Sequence, residues 1–189
     1  MNRRVAIPAA VLLATIAVAV GLYLFQPWRI FTSSTVTEDI PAAAPPTSQS
    51  ASQSASQSAD QSAQPSVEPS AIAPLELVKG ELISHEHASS GTVKVLELAD
   101  GSRILRFEGL DTSDGPDLRV WLSDAPVVEG PAGWYVFDDG PHLDLGALKA
   151  NKGDQNYAIP AGADLADYSS VSIWCARFAV SFAAAELAR

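Results

Sequence analysis

The chain has 189 residues, with 12 Lys or Arg against 22 Asp or Glu and a formal net charge of −10. That balance argues against nucleic acid and anionic lipid headgroups as partners of its outer surface, because both demand a basic patch. One cysteine excludes an internal disulfide, a Cys-x-x-Cys exchange motif and a Cys-x-x-Cys-His haem attachment.

In chain order the first element is an apolar run. After Met1-Asn2-Arg3-Arg4 no charged residue occurs from Val5 to Phe25, and a helix of that length spans about 30 Å, the thickness of a bilayer's hydrocarbon core. The run ends in the bulky residues Leu22-Tyr23-Leu24-Phe25, unlike the small residues of a signal-peptide cleavage site. Arg3 and Arg4 outweigh Arg29. The charge bias therefore predicts a cytoplasmic start (1–4), a transmembrane signal-anchor helix (5–28), and a single-pass protein of the cell membrane whose remainder is extracytoplasmic.

Residues 29–78 turn to Ser, Ala, Gln and Pro around the near-repeat SQSASQSASQSADQSAQPS. Such a composition cannot bury a core, and it predicts a disordered linker with a coil reach of about 35 to 40 Å.

Residues 79–189 are the length of one ordinary domain. Short alternating runs recur there: GELISHEH, SGTVKVLEL, a turn at Ala99-Asp100-Gly101-Ser102, RILRFEGL, a Gly-Pro break and DLRVWLSD. GWYVF, QNYAIP and one long closing strand from Ser170 to Phe182 follow, while LDLGALK and the tail FAAAELAR have a helical flavour. The pattern predicts an all-β domain, an antiparallel β-sandwich or barrel of about eight short strands.

Three segments, DGPDLRVWLS, LDLGALKANKGDQNYAIP and YSSVSIWCARFAVSFAAAEL, resemble in that order the defining segments of the DM-thirteen domain family. The resemblance covers Lys79 to Leu187. It implies a domain that accompanies DOMON domains in Skeletor-type proteins, with an electron-transfer role centred on one cysteine, whose position is Cys175 here. HASSGTVKV is similar to the family's early strand pair, with His87 where a histidine is common. Leu110 departs from the aromatic the family has there, which bears on packing more than on chemistry.

On a strand Trp174, Ala176, Phe178, Val180 and Phe182 share one face, and Cys175 shares the other with Ile173 and Arg177. An arginine beside a partly open cysteine favours thiolate, so Cys175 is the candidate redox thiol and Arg177 its candidate tuner. The competing reading makes Cys175 a small buried hydrophobe. Noncovalent haem would have to take its axial ligands from Cys175 and the three histidines, since Met1 is the only methionine. Cys175 and His87 are therefore the cofactor-binding candidates. His85 and His87 at strand spacing are a weak metal pair, with His142 as a conceivable third ligand, and no metal site is predicted.

DTSDGPD fails the EF-hand pattern, because Gly115 as the sixth position puts Leu110 first and Trp121 twelfth. It reads as a turn. Asp154 and Asn156 read as turn residues bonding their own backbone. No Ser-His-Asp order, phosphate loop or His-Glu-x-x-His motif occurs, so hydrolase and nucleotide readings have no support. The sequence thus predicts a membrane-anchored redox or electron-transfer module with an unknown redox partner. The alternative is a non-catalytic adhesion or ligand-binding sandwich recognising a surface ligand.

Overall fold

Alternation of apolar and polar residues with a period of two lets a strand offer one face to a core, and two such sheets facing each other close that core. This is the arrangement seen in the computed structural model, which describes residues 3–26, 28, 32–41 and 73–188. A helix, α1 (Arg3–Phe25), is followed by β1 (Thr35–Thr37), β2 (Leu75–Glu81), β3 (Ile83–Ser84), β4 (Ser90–Glu97) and β5 (Arg103–Asp111). Then come β6 (Leu118–Ser123), β7 (His142–Ala147), β8 (Lys152–Ile159), β9 (Ser170–Cys175) and β10 (Val180–Glu186). One sheet has the order β1-β8-β5-β4-β2 and the other β3-β10-β9-β6-β7. The sandwich expectation holds, with ten strands among the described residues in place of about eight.

Val93 and Val95 of β4, Leu105 and Phe107 of β5, and Tyr157 and Ile159 of β8 face Leu118, Val120 and Leu122 of β6 and Val171, Ile173 and Cys175 of β9. All are buried. Leu110 joins the same core at 2 % exposure, so the missing aromatic leaves no gap to solvent. The turn expected at Ala99–Ser102 is present: Gly101 has φ +80°, and the Leu98 N–H bonds the Ser102 carbonyl at 2.8 Å.

Four expectations are corrected. The closing stretch is a hairpin, not one strand, with Ala176–Ala179 as its loop and Cys175 opposite Val180. LDLGALK is not helical but lies largely in β7, and the Ala-rich tail is β10. In β10 small side chains are needed, since Ala183 and Ala185 face the main core while Ala184 lies under the outer aromatic cluster. GWYVF forms no strand; a 3-10 turn at Pro131–Gly133 and a loop stand there. Finally, strands stand near both ends of the segment 29–78, β1 within it and β2 from Leu75, while the centre of the expected linker, 42–72, lies outside the described residues.

The large apolar side chains of α1 from Val11 to Leu24, including Leu12, Leu13, Ile16 and Val18, are exposed. Among the described residues, however, no helix is long and apolar enough to cross a membrane. The span expected over 5–28 is therefore unsupported in the structure, where side chains of α1 are described only from Val11 onward.

Candidate functional site

Alternation along β9 sends Val171, Ile173 and Cys175 inward and leaves Ser170, Ser172 and Trp174 on the outer face of the sheet. That outer face is covered by residues 124–140. Phe137, fully buried, closes over Trp174 with ring centroids 6.4 Å apart and planes at 63°. Trp121, outward on the neighbouring β6, stacks on Trp174 at 5.0 Å and 22°. The exposed His142 of β7 stacks on Trp121 at 4.0 Å and 16°. His142, Trp121, Trp174 and Phe137 thus form a column of rings running from solvent into the protein.

Polar groups fix the cover. The buried Ser170 hydroxyl donates to the Ala125 carbonyl at 2.7 Å, and the Ala125 N–H donates to Ser123 Oγ at 3.1 Å. The Ser181 N–H donates to the Trp134 carbonyl at 2.8 Å. Gly133 tolerates no side chain, because a Cβ there would collide with the Val128 carbonyl oxygen. At the inner end of the column His85 lies 5.9 Å from Phe137, its Nδ1 is 2.9 Å from Ser181 Oγ, and Ser172 donates to the same hydroxyl at 2.9 Å. Burial lowers the His85 pKa, with the Val128 carbonyl acting in the opposite direction. Uncharged imidazole is the form this setting favours.

Cys175 sits inside the sandwich with no accessible surface. Burial raises its pKa, although N–H groups of Phe178, Arg177 and Asp117 act against that rise. The thiol is the form this environment holds. Arg177 does not share the cysteine's face, because β9 ends at Cys175 and Arg177 is exposed in the hairpin loop. The expected thiolate-arginine geometry is therefore absent. Trp174 is core as expected, but Val180 and Phe182 do not share its face: both belong with Cys175 to the core between the sheets. A bulge at Ser181–Ala183 turns Phe182 and Ala183 inward together.

The histidines are kept apart in role. His87 is only partly buried, packs its ring against Phe182 at 3.9 Å and lies 3.5 Å from the Glu86 carboxylate, whereas His85 is buried under the loop and His142 caps Trp121. No group of three potential metal ligands gathers among the described residues. Of the two cofactor-binding candidates, Cys175 has no exposed surface and lies in the core between the sheets, while His87 is partly buried against Phe182.

Thr112 to Asp117 connects β5 to β6, with the Gly115 N–H bonded to Asp114 Oδ1 at 2.8 Å. Asp154 and Asn156 are structural, yet their partners lie outside their own turn. Asp154 Oδ1 accepts from the Gly109 N–H at 2.7 Å, and Asn156 Oδ1 accepts from Arg106 at 2.9 Å.

Sequence reasoning found Trp174 and missed Trp121, Phe137, Ser172 and Ser181. The available signals were the outward positions of Trp121 in LRVWLS and the Ser-x-Ser-x-Trp spacing of β9, which repeat a buried pattern on a face a simple sandwich would leave wet.

The domain is thus a two-sheet sandwich with a loop-covered aromatic face and a lone thiol in its core. Residues 81–187 match the family model described as Electron transfer DM13, and the chain belongs to that family. No curated protein matches the chain, and no solved structure does either.

Proposed function

We propose that this chain is a membrane-held electron-transfer module in which charge moves between the surface and the Cys175 strand through the aromatic column. The observation that carries the reading is the near-parallel stacking of Trp121 on Trp174, with the exposed His142 stacked in turn on Trp121, in a domain of an electron-transfer family. Indoles, phenols and thiols are the side chains most readily oxidised by one electron, and here an indole of the column and the core thiol are consecutive residues, Trp174 and Cys175. The thiol's role is that of an internal group reached through the rings. Arg177 acts at most as an outer charge on the hairpin loop.

The test is one-electron photo-oxidation with a small soluble oxidant of the purified protein carrying Trp28→Phe, which removes the half-exposed indole outside the column, read by transient tryptophan-radical absorbance and electron paramagnetic resonance. The signal should fall strongly in Trp121→Phe while Tyr135→Phe, at an exposed aromatic, leaves it intact. Equal signals from the two variants would rule out the column as the route.

Membrane attachment is supported by the uncharged run Val5 to Phe25 and by the exposed apolar side chains of α1. With Arg3 and Arg4 inside, an enzyme active only after export should work when fused behind Arg189. An inactive export reporter together with a fluorescent cytoplasmic one at the same position would reverse the orientation.

The burial of Cys175 favours one competing reading, a non-catalytic surface module that uses the sandwich to recognise a ligand and the cysteine only to pack. It predicts a radical signal that Trp121→Phe and Tyr135→Phe leave equally unchanged.

A further inference from the structure

Strand β1 lies outside the residues matched to the family, yet every group that holds it lies inside them. It adds in parallel to the edge of β8, with Thr35, Val36 and Thr37 in register with Lys152, Gly153 and Asp154. The Lys152 N–H donates to the Ser34 carbonyl at 3.1 Å, and the Glu38 N–H to the Asp154 carbonyl at 2.9 Å. Side chains extend this ladder at both ends. The Ser34 N–H donates to Asn151 Oδ1 at 2.7 Å, and Asn156 Nδ2 donates to the Asp39 carbonyl at 2.8 Å.

Glu38 is the anchor. Lys149 Nζ reaches both of its carboxylate oxygens, at 2.7 and 2.8 Å, and the Asn156 N–H donates to Oε2 at 2.7 Å. Its main-chain carbonyl accepts from Arg106 at 2.8 Å. Arg106 itself is only 6 % exposed and is held in place by Glu108, Asn156 and Asp154. These contacts hold the Glu38 carboxyl below the usual glutamate range, chiefly through Lys149.

The acceptor edge is also shaped for close approach. Gly153 has φ +97°, and a Cβ at that position would collide with the Val36 carbonyl oxygen. Glycine is thus required twice there, by its backbone conformation and by the strand that lies against it.

We infer that the β8 edge, with Arg106, Lys149, Asn151, Gly153 and Asn156, is a strand-acceptor site for an extended acidic segment of the pattern Thr-Val-Thr-Glu, and that its occupant is Ser34–Asp39 of the same chain. Main-chain pairing supplies the affinity, and the Glu38 pocket supplies the register, as in other cases of strand addition to a sheet edge. Because the segment is covalently attached, its effective concentration is high, of the order of millimolar for a flexible connection. That favours docking within one chain over docking between chains.

Two measurements on the full chain test this. Thr35→Cys with Lys152→Cys, in a Cys175→Ala background, places two thiols at registered positions on paired strands, within the Cα separation of about 4.4 to 6.8 Å that a disulfide spans. Mild oxidation should give an intramolecular disulfide in a monomer. A disulfide-linked dimer would overturn the same-chain occupant, and two free thiols in a folded monomer would overturn the docking. For the unsubstituted chain, hydrogen exchange should show the Glu38 amide slowed roughly ten-fold or more relative to an unstructured peptide. Lys149→Ala should shorten that protection while the amides of β4 and β5 keep theirs. A Glu38 amide that exchanges as fast as free peptide in the unsubstituted chain would overturn the inference, whatever the cysteine variant does.

Discussion

In the native protein Cys175 should be alkylated by iodoacetamide about a thousand-fold or more slowly than in the urea-unfolded chain, because a side chain with no accessible surface reacts only when the sandwich opens. Arg177→Gln leaves the native rate unchanged, since that side chain is exposed in the loop and does not share the thiol's surroundings. The same burial makes stability depend on pH in a fixed direction. The folded thiol keeps its proton above the ordinary cysteine range, where the unfolded chain has lost it, so the contribution of Cys175 is complete at neutral pH and declines as pH rises past about 8.5. Cys175→Ala removes that part of the decline. Rapid alkylation of the folded protein at neutral pH would show that the thiol is open, and direct thiol exchange would then replace transfer through the rings as the chemistry to pursue.

Trp174→Ala is expected to cost about 3 to 5 kcal/mol in urea unfolding, the range for truncating a large buried aromatic. Trp174 is 2 % exposed and contacts both Trp121 and Phe137, so its loss opens a void between β9 and the covering loop. Tyr135→Ala in the same loop, at 55 % exposure, should change stability by less than about 0.5 kcal/mol. A Trp174→Ala cost near that of Tyr135→Ala would mean that the loop is not a structural cover.

The sandwich was legible wherever local signals and tertiary context agreed. β4 and β5 place Val93, Val95, Leu105 and Phe107 at alternate positions and are joined by an Asp-Gly turn, which marks both strands and their connection without reference to the rest of the chain. The β9–β10 hairpin was not legible, because Ala176-Arg177-Phe178-Ala179 contains none of the residues that announce a turn, and Ala179 adopts φ +50° without being glycine. β10 was hidden for a different reason. Its alanines are strong helix formers, and only the lack of room between two covered faces selects them for a strand.

The candidate site divides in the same way. Trp174 and Cys175 stand out as rare residues, and period-two alternation correctly puts them on opposite faces. Alternation alone does not say which face is the interior. That depended on the loop carrying Phe137, whose residues look like a strand in GWYVF but close over the sheet as a cover. β1 was illegible because three β-formers next to a Ser-rich tract carry no weight until an acceptor edge exists for them.

The placement of that short strand changes how far the domain can stand from whatever its helix occupies. β1 and β2 form the two opposite edges of one five-stranded sheet, so residues 38–74 begin and end on the same folded body. Their length therefore adds nothing to the distance between helix and sandwich. That distance is limited to the stretch from Gln26 to Ser34, which even fully extended covers at most about 30 Å. With α1 in a bilayer, the domain would be moored close to the surface instead of trailing on a long leash.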